Sequence, residues 1–148
     1  MGINTALDTN GTIINNEVKK LYAQTDLLLL DIKHIDDQAH QKLTGFSNKN
    51  VLAMAKFREK SGKPMWLRYV LAPKINDSLE FLTAWANHFK DYKTIKRVEI
   101  LPYHTLGVYK YKELGLDYQL KNTPSPSATS LSLAKSIFEK YFENVIVK

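Results

Sequence analysis

The sequence predicts one α/β unit built on a parallel sheet, and three observations carry that expectation. Residues 27–33 read Leu-Leu-Leu-Leu-Asp-Ile-Lys, and four apolar residues without alternation fit a strand covered on both faces. Strand-like and helix-like stretches alternate four times, at spacings that suit βαβ units of roughly 30 or more residues. Several of the apolar runs end in charged or polar residues, where a barrel or a doubly wound sheet keeps its chemistry. No repeat, low-complexity tract or linker divides the 148 residues, and 44% hydrophobic content suits one domain with a real core.

Residues 1–7 read as a short strand ending in Asp8-Thr9-Asn10-Gly11, where Asn-Gly is a turn signal. Residues 15–22 offer a capping asparagine, then Val18, Leu21 and Tyr22 at helical spacing. The strand 27–30 follows. Residues 36–43 predict one or two helical turns stopped by Gly45. A longer helix spans 47–60, with Val51, Leu52, Met54, Ala55 and Phe57 on its apolar side and Ser61-Gly62 and Pro64 as its stop. Residues 65–71, aromatic and branched, predict a strand closed by Ala72-Pro73. Residues 76–90 form a helix capped near 76–78, with Leu79, Leu82, Trp85, Ala86 and Phe89 inward. Val98-Glu99-Ile100-Leu101 is the next strand, ended by Pro102-Tyr103-His104. Poor periodicity and glycine and proline breaks make 105–126 a long surface loop. Residues 129–141 are the last helix, with Leu131, Leu133, Ala134, Ile137 and Phe138 inward, and Val145-Ile146-Val147 a final strand. Parallel strands with right-handed crossovers follow from this order.

Composition narrows the function classes. The chain has no cysteine, which excludes disulfides, thiolate metal sites, cysteine nucleophiles and iron–sulfur ligation by these residues. Of 21 basic residues only Arg58, Arg68 and Arg97 are arginine, and the lysines are scattered, so the net charge of +6 reads as a solvated surface and not a nucleic-acid site. No apolar run approaches the roughly 20 residues that span a bilayer. Met1-Gly2-Ile3-Asn4-Thr5 lacks the layout of a secretory signal, so a cytoplasmic location is the expectation. No pair among His34, His40, His88 and His104 has metal-ligand spacing. The first three read as surface histidines without a role, and no glycine-rich phosphate loop is present.

The polar residues at the strand ends are Asp8, Asp31 with Lys33, and His104, with Arg68 in or near the end of the third strand. In a parallel array these ends share one rim, which suits a zwitterionic or anionic small molecule. Lys33 and Arg68 pair with a carboxylate or phosphate, and Asp8 and Asp31 with an amine, hydroxyl or cation. His104 can donate or accept. Each has a plainer reading. Asp8 is equally a turn residue bonding its own loop. Arg68 is equally a stem laid along the core with its head in solvent, and His104 a structural hydrogen bonder.

At these residues the chain resembles a known family. Thr5-Ala6-Leu7-Asp8-Thr9-Asn10-Gly11, Leu30-Asp31-Ile32-Lys33, Trp66-Leu67-Arg68-Tyr69-Val70 and Leu101-Pro102-Tyr103-His104-Thr105-Leu106-Gly107 occur in the order and at the spacing of the pyruvate formate-lyase-activating enzymes, members of the radical S-adenosylmethionine superfamily. The segment from His40 to Asn48 adds a further match. The resemblance covers essentially the whole chain but only the C-terminal portion of that enzyme, from about the third strand of a partial (β/α)₆ TIM-like barrel onward. The family's C-x-x-x-C-x-x-C loop for a [4Fe-4S] cluster and its Gly-Gly-Glu motif have no counterpart here, and Ala6 stands where the pattern commonly has cysteine.

The resemblance implies that Asp31, Ile32 and Lys33 contact the ribose and carboxylate of S-adenosylmethionine, with Asp8 near its amino group and His104 near its adenosyl end. It implies a monovalent-cation site at Asp8, Thr9, Leu29 (through its carbonyl) and Asp31, and places Arg68 near the groove for the glycyl-radical loop of the partner. For the full enzyme it implies a reduced cluster, fed by an electron donor, that cleaves S-adenosylmethionine to a 5′-deoxyadenosyl radical. That radical takes a glycine hydrogen from pyruvate formate-lyase. This segment alone is then expected to be inactive, and to self-associate through the exposed edge and inner face of its first strand. Two other readings stand beside it. One is a non-catalytic barrel module holding a nucleotide-like ligand or a partner loop. The other is a metal-independent lyase or aldolase using Lys33 as an amine nucleophile, against which Asp31 argues, because a neighbouring carboxylate raises a lysine pKa.

Overall fold

The computed structural model describes residues 2–148, so of the expected first strand only Met1 lies outside the described residues. The chain runs β1 (Ala6–Thr9), α1 (Asn16–Gln24), β2 (Leu27–Asp31), α2 (Asp37–Thr44), α3 (Lys49–Lys60), β3 (Met65–Leu71), α4 (Leu79–Phe89), β4 (Ile95–Pro102), α5 (Val108–Glu113), α6 (Ala128–Phe138) and β5 (Val145–Val147). All five strands pair in parallel, in the order β1-β2-β3-β4-β5. When every strand pairs with the next one in sequence through a right-handed crossover, all the helices fall on the same face of the sheet. That is the layout of a barrel wall and not of a doubly wound sheet, which covers both faces.

Residue parity shows the consequence. Leu28 and Leu30, Met65, Leu67, Tyr69 and Leu71, and Val98 and Ile100 point to the helical side and are buried with Met54, Trp85, Phe89 and Phe138. Trp85 is the hub, its ring centroid 4.9 Å from that of Phe138, 5.1 Å from Phe89 and 5.4 Å from Tyr69. The alternate residues of β2 and β3 face away from the helices and are half-buried, while Glu99 of β4, on that same face, is buried. The 27–30 run was expected to be covered on both faces; helices cover one.

The caps account for the helix starts. Asn15, Asp36, Ser78 and Ser127 each accept a backbone N–H of the first turn, of Val18, Ala39, Phe81 and Ser130. Gly45 closes α2 at φ 80°. Gly11 holds φ 64° in the β1–α1 loop, and a β-carbon there would come within 2.9 Å of Leu30 Cδ1 and 3.0 Å of Val51 Cγ2, so that loop packs only with glycine.

Several boundaries and orientations differ from expectation. The first strand begins at Ala6 and includes Asp8 and Thr9, because these residues pair with Leu29 and Leu30. The 105–126 segment carries the short helix α5, whose Lys110 and Leu114 N–H groups donate to Gly107 and Lys110 carbonyls. Leu79 and Leu133 are exposed, on the outer sides of α4 and α6. His34 and His40 are buried and not on the surface. His34 Nδ1 accepts the Asp36 N–H at 3.0 Å, its ring meets Phe81 edge-on at 4.5 Å, and burial pulls its pKa below the ordinary histidine value. His40 Nδ1 lies 2.7 Å from the Phe46 carbonyl oxygen.

Candidate functional site

The strand register assembles a charged row on the face that no helix covers. Asp31 of β2 pairs with Arg68 of β3, and Arg68 with Glu99 of β4, so a carboxylate, a guanidinium and a second carboxylate stand side by side, one strand spacing (about 4.8 Å) apart. Asp8 of β1 shares their parity and ion-pairs with Arg68 Nη1. Arg68 Nε lies 3.9 Å from Asp31 Oδ1 and 3.6 Å from Glu99 Oε2. Lys33, just past β2, donates to Asp31 Oδ2 at 2.9 Å. Glu99 is fully buried, with Arg97 Nη1 at 3.8 Å and Lys148 Nζ at 3.1 Å. The Arg97 guanidinium stacks 3.9 Å above the Trp66 ring.

Charge holds this row more than hydrogen bonding does. Asp31 Oδ1, Arg68 Nε, Arg97 Nε and both Glu99 oxygens are buried without a hydrogen-bond partner. Burial alone would lower the Arg68 pKa, but the Asp8 hydrogen bond and the charges of Asp31, Asp8 and Glu99 outweigh it and raise the value. Arg68 is therefore a permanent cation. Unpaired polar atoms gathered in one place are unusual in a folded protein, and here they lie on the sheet face that no helix covers.

The structure disposes of two plainer readings. Asp8 does not bond its own loop; Thr9 Oγ1 accepts the Gly11 N–H at 3.1 Å and Asn10 Oδ1 the Thr12 N–H at 3.2 Å. Arg68 does not lay its head in solvent but lies among three carboxylates, its side chain 19% exposed. Ile32 is buried and ties its N–H to the Arg68 carbonyl at 3.2 Å, which fixes the turn from Asp31 to Lys33. The Lys33 carbonyl accepts from Asn76 Nδ2 at 3.1 Å.

Other expected residues stand apart from the row. His104 is exposed beyond β4, and its Nδ1 accepts the Leu106 N–H at 3.3 Å. Its five steps beyond Glu99 correspond to roughly 16 Å of strand. It shares the C-terminal edge but no contact with the other site residues. The Thr9 hydroxyl turns to the helical side, 2.9 Å from Tyr22 OH, so the Asp8–Thr9–Leu29–Asp31 set does not converge through its side chains. Among the described residues no cluster of three or more His, Asp or Glu is placed to hold a metal.

Glu99 and Arg97 escaped the sequence reading. Their signal was present: in Val98-Glu99-Ile100 a lone carboxylate interrupts an apolar strand. Only the register shows that it stands beside Arg68.

Solved structures share this fold, a parallel sheet lined with helices on one face. A domain of pyruvate-formate lyase-activating enzyme from Bacteroides vulgatus superposes with a TM-score of 0.80 at 19% identity, over 99% of this chain and 81% of that one. Streptococcus suis SuiB bound to S-adenosylmethionine gives 0.72 at 18% identity, over 99% of this chain and 33% of that one. A radical SAM methyltransferase from Sphaerobacter thermophilus gives 0.70 at 16%, over 97% and 39%.

Sequence comparison finds nearer relatives. The pyruvate formate-lyase-activating enzyme of Streptococcus mutans is 40% identical over 97% of this chain and 59% of its own length. The pyruvate formate-lyase 1-activating enzyme of Escherichia coli K12 is 33% identical over 98% and 60%. No family model matches. Over nearly all of its length the chain matches the C-terminal portion of pyruvate formate-lyase-activating enzymes, and it spans about half to three fifths of the length of the curated relatives it matches.

Proposed function

We propose that this chain is the ligand-holding and partner-facing part of a glycyl-radical-enzyme activase, with S-adenosylmethionine as its ligand. The observation that carries this reading is the row of buried polar atoms without hydrogen-bond partners on Asp31, Arg68 and Glu99, gathered on the sheet face that no helix covers. S-adenosylmethionine is a zwitterion with a ribose, and the donor set fits it. Lys33 and Arg68 offer cations to its carboxylate, and Asp31 Oδ1 and the Asp8 carboxylate offer acceptors to its ammonium and hydroxyl groups. When bound, this cofactor supplies a carbon–sulfur bond that can be broken reductively.

The residues of this chain bind and orient. Ile32 fixes the Asp31–Lys33 turn, Glu99 holds Arg68 by charge from the neighbouring strand, and Trp66 supports Arg97. His104, on the same edge, is assigned to the adenosyl end. Asp8, Thr9, Leu29 (through its carbonyl) and Asp31 would hold a monovalent cation. A [4Fe-4S] cluster does not fit these residues, because the chain holds no cysteine thiolate; no step is assigned to it here. The whole protein would act on pyruvate formate-lyase or a related glycyl radical enzyme with an electron donor, in the cytoplasm, and Arg68 would face the partner's loop.

Calorimetric titration of S-adenosylmethionine into the chain tests the reading. Saturable binding is expected, weakened at least about tenfold (roughly 1.4 kcal/mol) by Asp31→Asn or Lys33→Ala. No cleavage products should form after iron–sulfur reconstitution. Binding that ignores both substitutions would refute the site, and turnover would refute the assignment of parts.

A further inference from the structure

A second cavity, of about 300 Å³, opens at the other end of the sheet, where β4 and β5 begin and α4 and α6 end. Its walls carry Lys90, Lys93, Lys96 and Arg97, with Tyr92 and Tyr141 beside them. Glu143 is the single carboxylate on the walls. Among the described residues Lys90, Lys93 and Lys96 enter no ion pair, and the closest carboxylate to Arg97 is Glu99 at 3.8 Å. Glu99 answers Arg97, and Glu59, which accepts the Lys93 N–H at 2.9 Å, lies beside Lys93; among the described residues Lys90 and Lys96 are left without a facing carboxylate.

The backbone adds an independent observation. Met65 pairs with Ile95 and Trp66 with Arg97, so Lys96 is an extra residue in β4, at a break in register. In a regular strand Lys96 and Arg97 would point to opposite faces. A bulge re-aims one of two successive side chains, and here both line the same cavity. Lys96 Nζ donates to the Lys93 carbonyl at 3.2 Å, which draws the loop and the strand together. Lys90 is the C-cap of α4, where a cation also complements the negative end of the helix. Arg97 is held by Glu99 and the Trp66 ring; Lys93 and Lys96 have no such role.

We propose that this cavity is a binding site for a small multivalent anion, a diphosphate-bearing or polycarboxylate compound, separate from the charged row on the sheet. Lys90, Lys93 and Lys96 provide the charge and the ammonium donors to an oxyanion. Tyr92 and Tyr141 give a flat wall that a ring on such a ligand would lie against. The volume is at the small end of ligand pockets, about 300–1,000 Å³, which suits a diphosphate with or without a base and excludes anything larger.

The test is calorimetric titration of inorganic pyrophosphate into the chain at low ionic strength, with citrate and ADP as companion probes. Saturable binding is expected, at least about tenfold weaker in a Lys93→Glu/Lys96→Glu variant and unchanged in Lys19→Glu/Lys20→Glu, which reverses two charges on α1. Backbone amide shifts on titration should centre on 90–97 and 141–144. Tighter pyrophosphate than citrate assigns a phosphate ligand, and the reverse a polycarboxylate. Tighter ADP than pyrophosphate supports the aromatic wall. No saturable binding of any probe would overturn the proposal. So would binding abolished by Arg68→Met but not by the Lys93/Lys96 reversal, because it would then belong to the charged row. S-adenosylmethionine binding is read separately and stands or falls alone.

Discussion

Replacing Arg58 should unfold this chain more readily than replacing any other charged residue, although Arg58 has no place in either binding site. It is fully buried in α3 and gives all five of its N–H groups to backbone carbonyls. Nε and Nη2 donate to Pro64 at 3.1 and 2.9 Å, Nη1 to Tyr22 at 2.6 Å and Thr25 at 3.0 Å, and Nη2 also to Asp26 at 2.8 Å. Two of these carbonyls are at the C-terminal end of α1, where helical carbonyls lack partners of their own. The others lead into β2 and β3. One side chain thus caps a helix and sets where two strands enter the sheet. Arg58→Met keeps much of the volume and leaves four carbonyls without this partner. At about 1–3 kcal/mol for each buried acceptor left unsatisfied, and with relief from burying a charge working the other way, the net loss is about 4 kcal/mol. For a chain of this size that corresponds to roughly 10–15 °C in Tm. Arg58→Lys keeps a charge but not the planar fork, and should lose about half as much. Urea unfolding followed by Trp66 and Trp85 fluorescence measures both. A midpoint shift equivalent to less than about 1 kcal/mol in Arg58→Met, at unchanged slope, would refute the reasoning.

Two further outcomes follow from particular residues. Burial depresses the His34 pKa, so the unfolded chain binds the proton more readily than the folded one. The stability tied to His34 is present above about pH 6.5 and is lost as pH falls from there through the lower folded-state value. The urea midpoint of the native chain should decline over that window and that of His34→Gln should decline less, since burial depresses His88 in the same direction; equal slopes would remove His34 as a cause. Second, β1 is an edge strand paired only with β2, and the sheet face beside it carries exposed or half-buried Ala6, Leu27 and Leu29. Sedimentation should show concentration-dependent self-association, reduced by a proline at Leu7. A monodisperse monomer with slow amide exchange at Leu7 would count against it.

How legible this protein was can be traced residue by residue. Asn15, Asp36 and Ser78 announced helix starts because capping is a local hydrogen bond between near neighbours. The aromatic and branched run 65–71 announced β3, and the alternation of apolar segments announced parallel pairing. The motifs around Asp8, Asp31, Arg68 and His104 also carried the family, which the relatives bear out. His34 and His40 were misplaced because a histidine on a loop or short helix carries no local mark of burial. Helix α5 was missed because its residues bury no apolar face, and periodicity is read from buried faces.

The sequence by itself determined every element but α5, their order, the absence of any thiolate ligand and most of the residues worth watching, since each of these depends on neighbours along the chain. Tertiary structure decided which of those residues meet. Parallel register set Asp31 beside Arg68 and Arg68 beside Glu99, drew in Asp8 and left His104 apart, and a one-residue break in register brought both Lys96 and Arg97 to the rim of one cavity. Register is fixed by how the buried faces of strands far apart in sequence pack on shared helices, and no stretch of chain read alone contains that information.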